Sequence, residues 1–409
     1  MSREINCSRM LYHQSILFPK FYAIDEFVCE FLEDAESADC CKIVEREDDL
    51  AALKNLRVQK WLQFENFVIF GIGGSSLGGQ TIHALSDKKN IEFCNNLDAE
   101  TLEKLFQKTN FSSTGFLCIS KSGETLETIC QTILAIEKAK QNCENYCEHF
   151  LIITEDKKSS LWQIACENDF VCLDHPKTIG GRFSVFSLVG MVPAILCGVD
   201  PLKIRAGGRE VLRDLKNENP KVLDGVSFLY ECYRKNLWQH VSFIYCDKMR
   251  FFGKWVEQLY AESSGKKGEG ITPITAVGSV DQHSQLQLYL DGPADKCFSF
   301  FIEKQPSDLA IESEKLPQSF SYLRSKRITE IFSAQYEATA KVLVGKEYPV
   351  RKIEVEQLNA ESLGALFMHF MLETICFCRA IKVNPFDQPA VEKGKIITAD
   401  LLGGTNAIR

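Results

Sequence analysis

The sequence has no apolar run long enough to cross a membrane. The longest run, residues 183–199, is 17 residues long and is interrupted by two serines and Pro193, whereas a membrane-spanning helix needs about 20 predominantly apolar residues. We therefore expect a buried helix here. The first residues, MSREINCSRMLYHQSILF, also lack the apolar stretch and cleavage pattern of a secretory signal, so export is not expected.

The cysteines show no metal-binding spacing. The chain has 17 cysteines but no C-x-x-C pair, and the nearest approaches are Cys376-x-Cys378 and Cys147-x-His149. A zinc site is therefore disfavoured. Because the cysteines are scattered through apolar segments, we interpret them as reduced core residues of a cytoplasmic protein rather than as a disulfide framework.

Long basic runs are also missing, and the formal net charge is −8. A negative chain without a basic stripe is a poor partner for nucleic acid, although a local positive pocket can still bind a small anion. With 409 residues, 45% of them hydrophobic and 25% charged, the composition is that of a globular protein, and the length favours two domains.

Apolar runs bounded by turn residues alternate with amphipathic stretches, which is the pattern of an α/β protein with parallel sheets. The pattern predicts strands at residues 67–72, 116–120, 150–154, 242–246, 274–277 and 297–302. It predicts helices at residues 77–85, 125–140, 159–167, 252–261 and 362–381. A charged stretch, residues 209–223, separates the two halves of the pattern.

This organisation predicts two tandem doubly wound parallel-sheet units. We place an N-terminal wrap at residues 1–45 and the first unit at residues 46–220. The second unit follows at residues 221–383, and a C-terminal arm at residues 384–409.

A glycine-rich loop, GIGGSSLGG at residues 71–79, follows a predicted strand and precedes a predicted helix. Glycines in this position let backbone N–H groups close around an anion. The dinucleotide fingerprint is incomplete because Ser76 replaces its third glycine, although Glu92 lies at a suitable distance for a ribose contact. The nucleotide-triphosphate loop is incomplete because Gln80 replaces its lysine. Close strand-to-helix packing is the alternative explanation for these glycines.

A second polar loop, SKSGETLET at residues 120–128, also joins a strand to a helix. Its hydroxyls and its lysine can donate to phosphate oxygens. The alternative is helix capping by Ser122 or Thr125, with Glu124 or Glu127 in the first turn. Since ligands bind at the carboxyl ends of strands in open α/β sheets, two donor-rich strand ends favour a phosphate site.

These two loops are part of a longer resemblance. Further segments are IGGRFSVFSLVG at residues 179–190, QLYAESSGKKGEG at 258–270, DQHSQLQLYLDGP at 281–293 and NPFDQPAVEKGK at 384–395. In this order, over about four fifths of the chain, they resemble the sugar-isomerase domain family and, within it, the glucose-6-phosphate isomerases.

The resemblance implies two sugar-isomerase domains that interconvert glucose 6-phosphate and fructose 6-phosphate through ring opening and a cis-enediolate. It implies a cytoplasmic homodimer without metal or organic cofactor, in which His283 enters the site from the partner subunit. It assigns substrate binding to Gly74, Ser75, Ser120, Lys121, Ser122, Thr125, Gln258 and Gln388. It assigns catalysis to Glu262 as the base, Arg182 as the enediolate stabiliser, and His283 with Lys395 for ring opening.

The reaction independently requires these residue types. Ring opening needs one group that takes a proton and one that gives a proton near neutral pH, which suits histidine and lysine. A single carboxylate can move the proton between neighbouring carbons. The negative charge that develops on the oxygens needs a fixed cation, which arginine supplies.

Several alternatives stay open at this level. Glu257 and Glu269 compete with Glu262 for the role of base. Lys393 competes with Lys395, and only the spacing from the preceding glutamate selects the latter.

Two wider alternatives concern function. In the first, the chain is a non-catalytic phosphosugar sensor, which would not need the four catalytic residues assigned above. In the second, it is an isomerase that also accepts mannose 6-phosphate. Ala390 replaces a glycine of the terminal signature, and the chain is shorter than many family members.

Overall fold

The computed structural model describes residues 11–17, 26–88, 90–155, 158–217, 220–304 and 307–403, with backbone alone for residues 26–30. The strands are β1 His13–Ile16, β2 Asn66–Phe70, β3 Ile91–Cys94, β4 Thr114–Ser120, β5 Phe150–Thr154, β6 Val171–Asp174, β7 Gln239–Tyr245, β8 Thr272–Val277, β9 Lys296–Glu303 and β10 Val350–Val355. The helices are α1 Glu26–Ser37, α2 Asp39–Lys42, α3 Leu56–Trp61, α4 Leu77–His83, α5 Ala99–Lys108, α6 Leu126–Asn142, α7 Ser160–Glu167, α8 Leu188–Leu196, α9 Pro201–Asp214, α10 Lys221–Arg234, α11 Arg250–Ser264, α12 Leu286–Asp291, α13 Ile328–Gly345, α14 Ala360–Ala380 and α15 Glu392–Leu401.

The first sheet has the order β3-β2-β4-β5-β6, and its neighbouring strands are parallel. Every residue of β4 and β5 is buried, which fits apolar strands covered by helices on both faces. The carboxyl ends of β2 and β4 lie side by side, with Phe70 opposite Cys118. The two polar loops of the sequence therefore leave the same edge of this sheet.

The second sheet has the order β1-β10-β9-β7-β8. Its strands are parallel except for β1, which pairs antiparallel with β10 at the edge. The predicted α/β class with two parallel sheets is confirmed. The antiparallel strand comes from the N-terminal segment, which adds it to the sheet of the second unit.

The pattern missed β10 because its sequence, VRKIEV, is half charged. Arg351 and Lys352 are nevertheless buried. A buried charge in a strand is found where a partner of opposite charge lies within reach, and periodicity cannot reveal that partner.

The prediction of one helix at residues 183–199 was wrong in shape but right in burial. A short 3₁₀ helix, Gly181–Phe186, precedes α8, and both are almost entirely buried. The break occurs at Ser187, whose Oγ accepts a hydrogen bond from the backbone N–H of Val189 and so begins a new helix.

The charged stretch near residue 220 contains the end of one helix and the start of another rather than a simple linker. Helix α9 begins at Asp200-Pro201, where the aspartate accepts from Leu202 N–H and proline occupies the first turn. Helix α9 packs along α14, so the segment before residue 220 also covers the second unit. The division of the chain at residue 220 stays a prediction.

Helix α14 is the central core helix. It is long and apolar enough to cross a membrane by length and composition, but 94% of its most apolar window is buried inside the protein. Glycines bring α9 and α14 into close contact: a Cβ on Gly207 would lie 1.8 Å from the Glu361 carbonyl oxygen, and one on Gly364 would lie 1.9 Å from that of Ile204.

We expect Gly364→Ala to lower the free energy of unfolding by about 1–3 kcal/mol, because the added methyl group forces two packed helix backbones apart. Gly345→Ala at the end of α13 is the matched control, since a Cβ there meets nothing within 4 Å. Urea unfolding measures both. Equal stability of the two variants would contradict the close packing of α9 on α14.

Candidate active site

The loop after β2 carries the first group of predicted ligands. Gly73 adopts a left-handed φ of 55°, a conformation that glycine adopts without strain. The chain then forms a 3₁₀ turn, Gly73–Ser75, and α4 begins after buried Ser76. Gln80 donates to Ser76 Oγ at 2.8 Å. This polar side chain stands where a triphosphate loop has lysine, and it serves the loop rather than a ligand.

The loop after β4 holds its hydroxyls at the same edge. Ser120 is buried and lies 2.8 Å from Thr125 Oγ1, and its Oγ also accepts from Gly123 N–H at 3.1 Å. Thr125 is the N-cap residue of α6, but its side chain accepts no capping hydrogen bond. The capping alternative therefore does not account for Thr125.

The remaining residues of this loop have different neighbours. Ser122 is exposed and accepts from Glu124 N–H at 3.2 Å. The Glu124 carboxylate is used elsewhere, because it accepts from the N–H and the hydroxyl of Ser160 at 2.7 Å each. The Lys121 ammonium donates to the Lys177 carbonyl at 3.0 Å and lies half-buried at the loop.

Close glycine contacts join the glycine-rich loop to the rest of the site. A Cβ on Gly74 would lie 2.2 Å from the backbone of Gly181, and one on Gly73 would lie 2.5 Å from Gln258 Nε2. Close packing is thus one purpose of these glycines. Because Gly181 precedes Arg182 and Gln258 lies on α11, the packing brings the loop against two predicted catalytic elements.

Arg182 is the most deeply buried charge of this cleft, with 1% of its side chain exposed. Its Nε donates to Ser263 Oγ at 2.8 Å, its Nη1 lies 3.3 Å from Glu262 Oε2, and its Nη2 donates to the carbonyls of Pro385 and Asp387. Burial lowers the pKa of Arg182 below its usual range, and the neighbouring Glu262 opposes that shift. The guanidinium remains a cation at neutral pH.

Glu262 lies near the end of α11 with 30% of its side chain exposed. Oε1 accepts from Gln258 Nε2 at 2.8 Å, while Oε2 faces Arg182. The two residues are four apart on one helix, so they share a face. Gln258 Oε1 is buried without a hydrogen-bond partner among the described residues, which leaves an acceptor available beside the carboxylate.

The competing glutamates point elsewhere. Glu257 accepts from Thr275 N–H at 3.0 Å and pairs with Lys254. Glu269 accepts a hydrogen bond from the Tyr233 hydroxyl. Among the three candidates, Glu262 is the one beside the buried guanidinium, so the geometry favours it as the base.

Sequence reasoning missed two residues that hold the arm beside Glu262. Ser263 orients Arg182, and Lys266 Nζ donates at 2.6 Å to the carbonyls of Ser263 and Asn384. Both occur in the segment QLYAESSGKKGEG, where hydroxyls and lysines next to a catalytic candidate were the available signal. The arm therefore starts at the site, and Gln388 follows there with an exposed side chain.

Two predicted residues are not brought to Glu262 within the described part of the chain. Lys395 lies on α15 with 59% of its side chain exposed and pairs with Glu392 at 2.7 Å. His283 is exposed in the segment between β8 and α12. The neighbours Asp281 and Gln282 fix this segment, through Val277 N–H at 2.6 Å and the Tyr245 hydroxyl at 2.7 Å.

The cleft combines a carboxylate, a buried cation and two loops rich in N–H and hydroxyl donors. A carboxylate that moves a proton next to a fixed cation suits a reaction in which negative charge develops on oxygen. The donor-rich loops suit an anionic group at the far end of the substrate.

Comparison with known proteins gives consistent matches. The model of the family described as "Phosphoglucose isomerase" matches residues 57–406. A glucose-6-phosphate isomerase of Methanocaldococcus jannaschii is 35% identical over 342 residues, which are 82% of this chain and 83% of that protein.

Solved structures show the same fold. A hypothetical protein of Thermus thermophilus superposes with a TM-score of 0.85 at 26% identity, covering 96% of this chain and 100% of that one. A glucose-6-phosphate isomerase of Chlamydia trachomatis superposes with a TM-score of 0.77 at 18% identity, covering 94% and 85%.

Proposed function

The chain belongs to the phosphoglucose isomerase family and interconverts glucose 6-phosphate and fructose 6-phosphate, and we propose that Glu262 carries the proton between the two carbons. The observation that supports this role is the position of its carboxylate, 3.3 Å from buried Arg182 and beside the two donor-rich loops. A phosphosugar sensor has no need of this pairing.

The phosphate is held at the edge of the first sheet. The backbone N–H of Gly74 and the hydroxyl of Ser75 bind it from one side, since the Ser75 N–H already donates to the Ile72 carbonyl. Four residues of the second loop bind the phosphate from the other side: Ser120, Lys121, Ser122 and Thr125. The exposed hydroxyl of Ser122 accepts from Glu124 N–H, which leaves its own proton for a ligand. Of the paired Ser120 and Thr125 hydroxyls only one proton lies between the two, so the other can also donate.

Proton transfer then proceeds at the open-chain sugar. Glu262 takes the proton from C2 as the C1 carbonyl becomes an enediolate oxygen, and returns a proton to C1 as the C2 carbonyl forms. The proton of the C2 hydroxyl passes to the C1 oxygen in the same interconversion. Arg182 stabilises the negative oxygen, since a buried cation acts in a medium of low dielectric constant. Gln258 and Gln388 line the sugar site, and Gln258 also holds Glu262 in place.

Ring opening requires groups from outside this cluster. We propose that the enzyme is a homodimer and that the partner subunit supplies His283, while Lys395 reaches the site when the arm docks. His283 lies on a fixed, exposed segment beside Val280, which is 58% exposed, and Leu288, which is 54% exposed. Exposed apolar side chains in helix α15, such as Leu401, support docking of the arm on another surface.

We also propose a cytoplasmic location and the division of the chain into a wrap, two sugar-isomerase domains and an arm, as the sequence predicts. The cysteines of the described residues are free thiols, which suits a reducing compartment.

We expect Glu262→Gln to lower kcat by about 10²- to 10⁴-fold and to keep the affinity for inorganic phosphate, because it deletes the base and keeps the shape. Glu257→Gln on the same helix is the matched control and should retain kcat. Steady-state rates and phosphate inhibition measure both. A fully active Glu262→Gln protein would exclude this residue as the base.

The phosphate site is tested by Ser122→Ala combined with Thr125→Ala. We expect a higher KM for the sugar phosphate and weak competition by inorganic phosphate, with a lower kcat if phosphate binding also orients the reacting end.

Thr109→Ala combined with Ser112→Ala is the control for that variant. It also removes one threonine hydroxyl and one serine hydroxyl, from residues in the same classes of exposure. These residues lie just before β4, at the opposite end of the strand. Unchanged competition in the Ser122/Thr125 variant would move the phosphate site elsewhere.

Shared sites are tested by mixed dimers of Glu262→Gln and His283→Ala chains, each expected to be nearly inactive alone. About half of the dimers formed at random are mixed, and one of the two sites in each is intact, so roughly a quarter of the parent activity should return. A mixture of Glu262→Gln and Arg182→Gln chains is the control. These two residues meet within one chain, so it should stay inactive. No recovery in the first mixture would place His283 in its own chain's site.

A further inference from the structure

A fully buried ion pair lies behind helix α11. Arg351 on β10 donates to Glu373 on α14 through both terminal nitrogens, at 2.7 and 3.2 Å, and neither side chain is exposed. Removing two charges from water costs several kcal/mol for each ion, and well-packed apolar residues are often as stable. Stability alone is therefore a weak explanation for this pair.

The pair continues into a chain of hydrogen bonds. Tyr12 OH lies 2.7 Å from His369 Nδ1, His369 Nε2 lies 3.0 Å from Glu373 Oε2, and the Tyr260 hydroxyl donates to Glu373 Oε1. Tyr12 lies immediately before β1, and Tyr260 lies on α11. The chain thus connects the N-terminal strand with the helix that carries Glu262.

The carboxylate at the centre of this hydrogen-bond network fixes the donors that surround it. Burial raises the pKa of Tyr12 and of Tyr260, so both hydroxyls stay protonated, and that of Tyr260 donates to Glu373. Although burial raises the pKa of Glu373, Arg351 and His369 hold it at about 2, so the carboxylate only accepts. His369 therefore donates to it through Nε2, and its Nδ1 shares a hydrogen bond with the Tyr12 hydroxyl.

Close packing leaves the pair little freedom to move. A Cβ on Gly225 of α10 would lie 1.7 Å from Glu373 Oε2 and 2.6 Å from Arg351 Nη1. The rings of Phe228 and Phe370 lie 5.1 and 5.6 Å from the guanidinium carbon. The Glu373 carboxylate, which accepts the hydrogen bond from Tyr260, therefore has a fixed position in the core.

Tyr260 and Glu262 leave α11 in opposite directions. Two residues turn a helix by about 200°, so the tyrosine reaches into the core while the glutamate faces the cleft. A rotation of the helix by about 10° moves a group at its outer radius by about 1 Å. A displacement of that size can lower a rate by about 10²-fold.

We propose that four residues are positioning residues: Tyr12, His369, Glu373 and Tyr260. They fix the rotation of α11 about its axis and so the direction of the Glu262 side chain. They also make kcat depend on the pairing of strand β1 with the second sheet. This inference rests on the proposed role of Glu262. It assigns no contact with substrate to any of the four.

The test is Tyr260→Phe in the full chain, which keeps the ring and removes the hydroxyl. We expect kcat to fall by about 10- to 100-fold, with KM and phosphate inhibition within about twofold of the parent. Tyr12→Phe should lower kcat by a smaller factor, because the hydrogen bond that it removes lies two hydrogen bonds further from α11 in the network. Tyr146→Phe is the control: it removes a tyrosine hydrogen bond to Asn168 in the first unit and should leave kcat unchanged.

Rates are compared per folded protein, with the folded fraction taken from circular dichroism. An unchanged kcat in Tyr260→Phe, or a loss that only follows the folded fraction, would overturn the inference. If Tyr260→Phe does not fold, Tyr12→Phe decides in the same way. Glu262→Gln is assayed alongside: if that variant is active the proposed base is wrong, whereas an inactive Glu262→Gln with unaffected tyrosine variants refutes the positioning inference alone.

Discussion

The buried guanidinium of Arg182 is the group on which the rest of the site depends. Its donors reach two separate parts of the chain: the Ser263 hydroxyl and the Glu262 carboxylate on α11, and the carbonyls of Pro385 and Asp387 at the start of the arm. A planar cation with several donors in fixed directions can hold such a set, and a lysine cannot. The burial that makes this cation costly also makes it effective toward a developing oxyanion.

Rigid packing transmits this arrangement to the phosphate loops. Gly74 lets the first loop rest against the backbone that carries Arg182, and Gly73 lets it approach Gln258. The proposed anion site and the proposed proton-transfer site are therefore held at a fixed separation by these close contacts. Such packing controls the distance between the groups that bind the two ends of the substrate. This matters because the orientation of bound groups contributes much of an enzyme's rate.

The sequence predicted much of this because its signals are local. Apolar periodicity placed the central strands of both sheets, and two glycine- or hydroxyl-rich loops marked the ligand edge. It missed β10 and the buried pair of Arg351 and Glu373, because a charge looks the same in sequence whether it is solvated or buried with a partner. Only the family resemblance selected Glu262 over Glu257 and Glu269, because the direction in which each side chain leaves its element is not visible in the sequence.

The central claim is that one carboxylate, Glu262, carries the proton between the two carbons. The direct measurement is deuterium incorporation at C1 of fructose 6-phosphate and C2 of glucose 6-phosphate when the enzyme equilibrates them in D₂O. The account predicts incorporation with the parent protein, slower incorporation with Glu262→Asp, whose carboxylate is withdrawn by one methylene, and none detectable with Glu262→Gln. Undiminished incorporation with Glu262→Gln would contradict it.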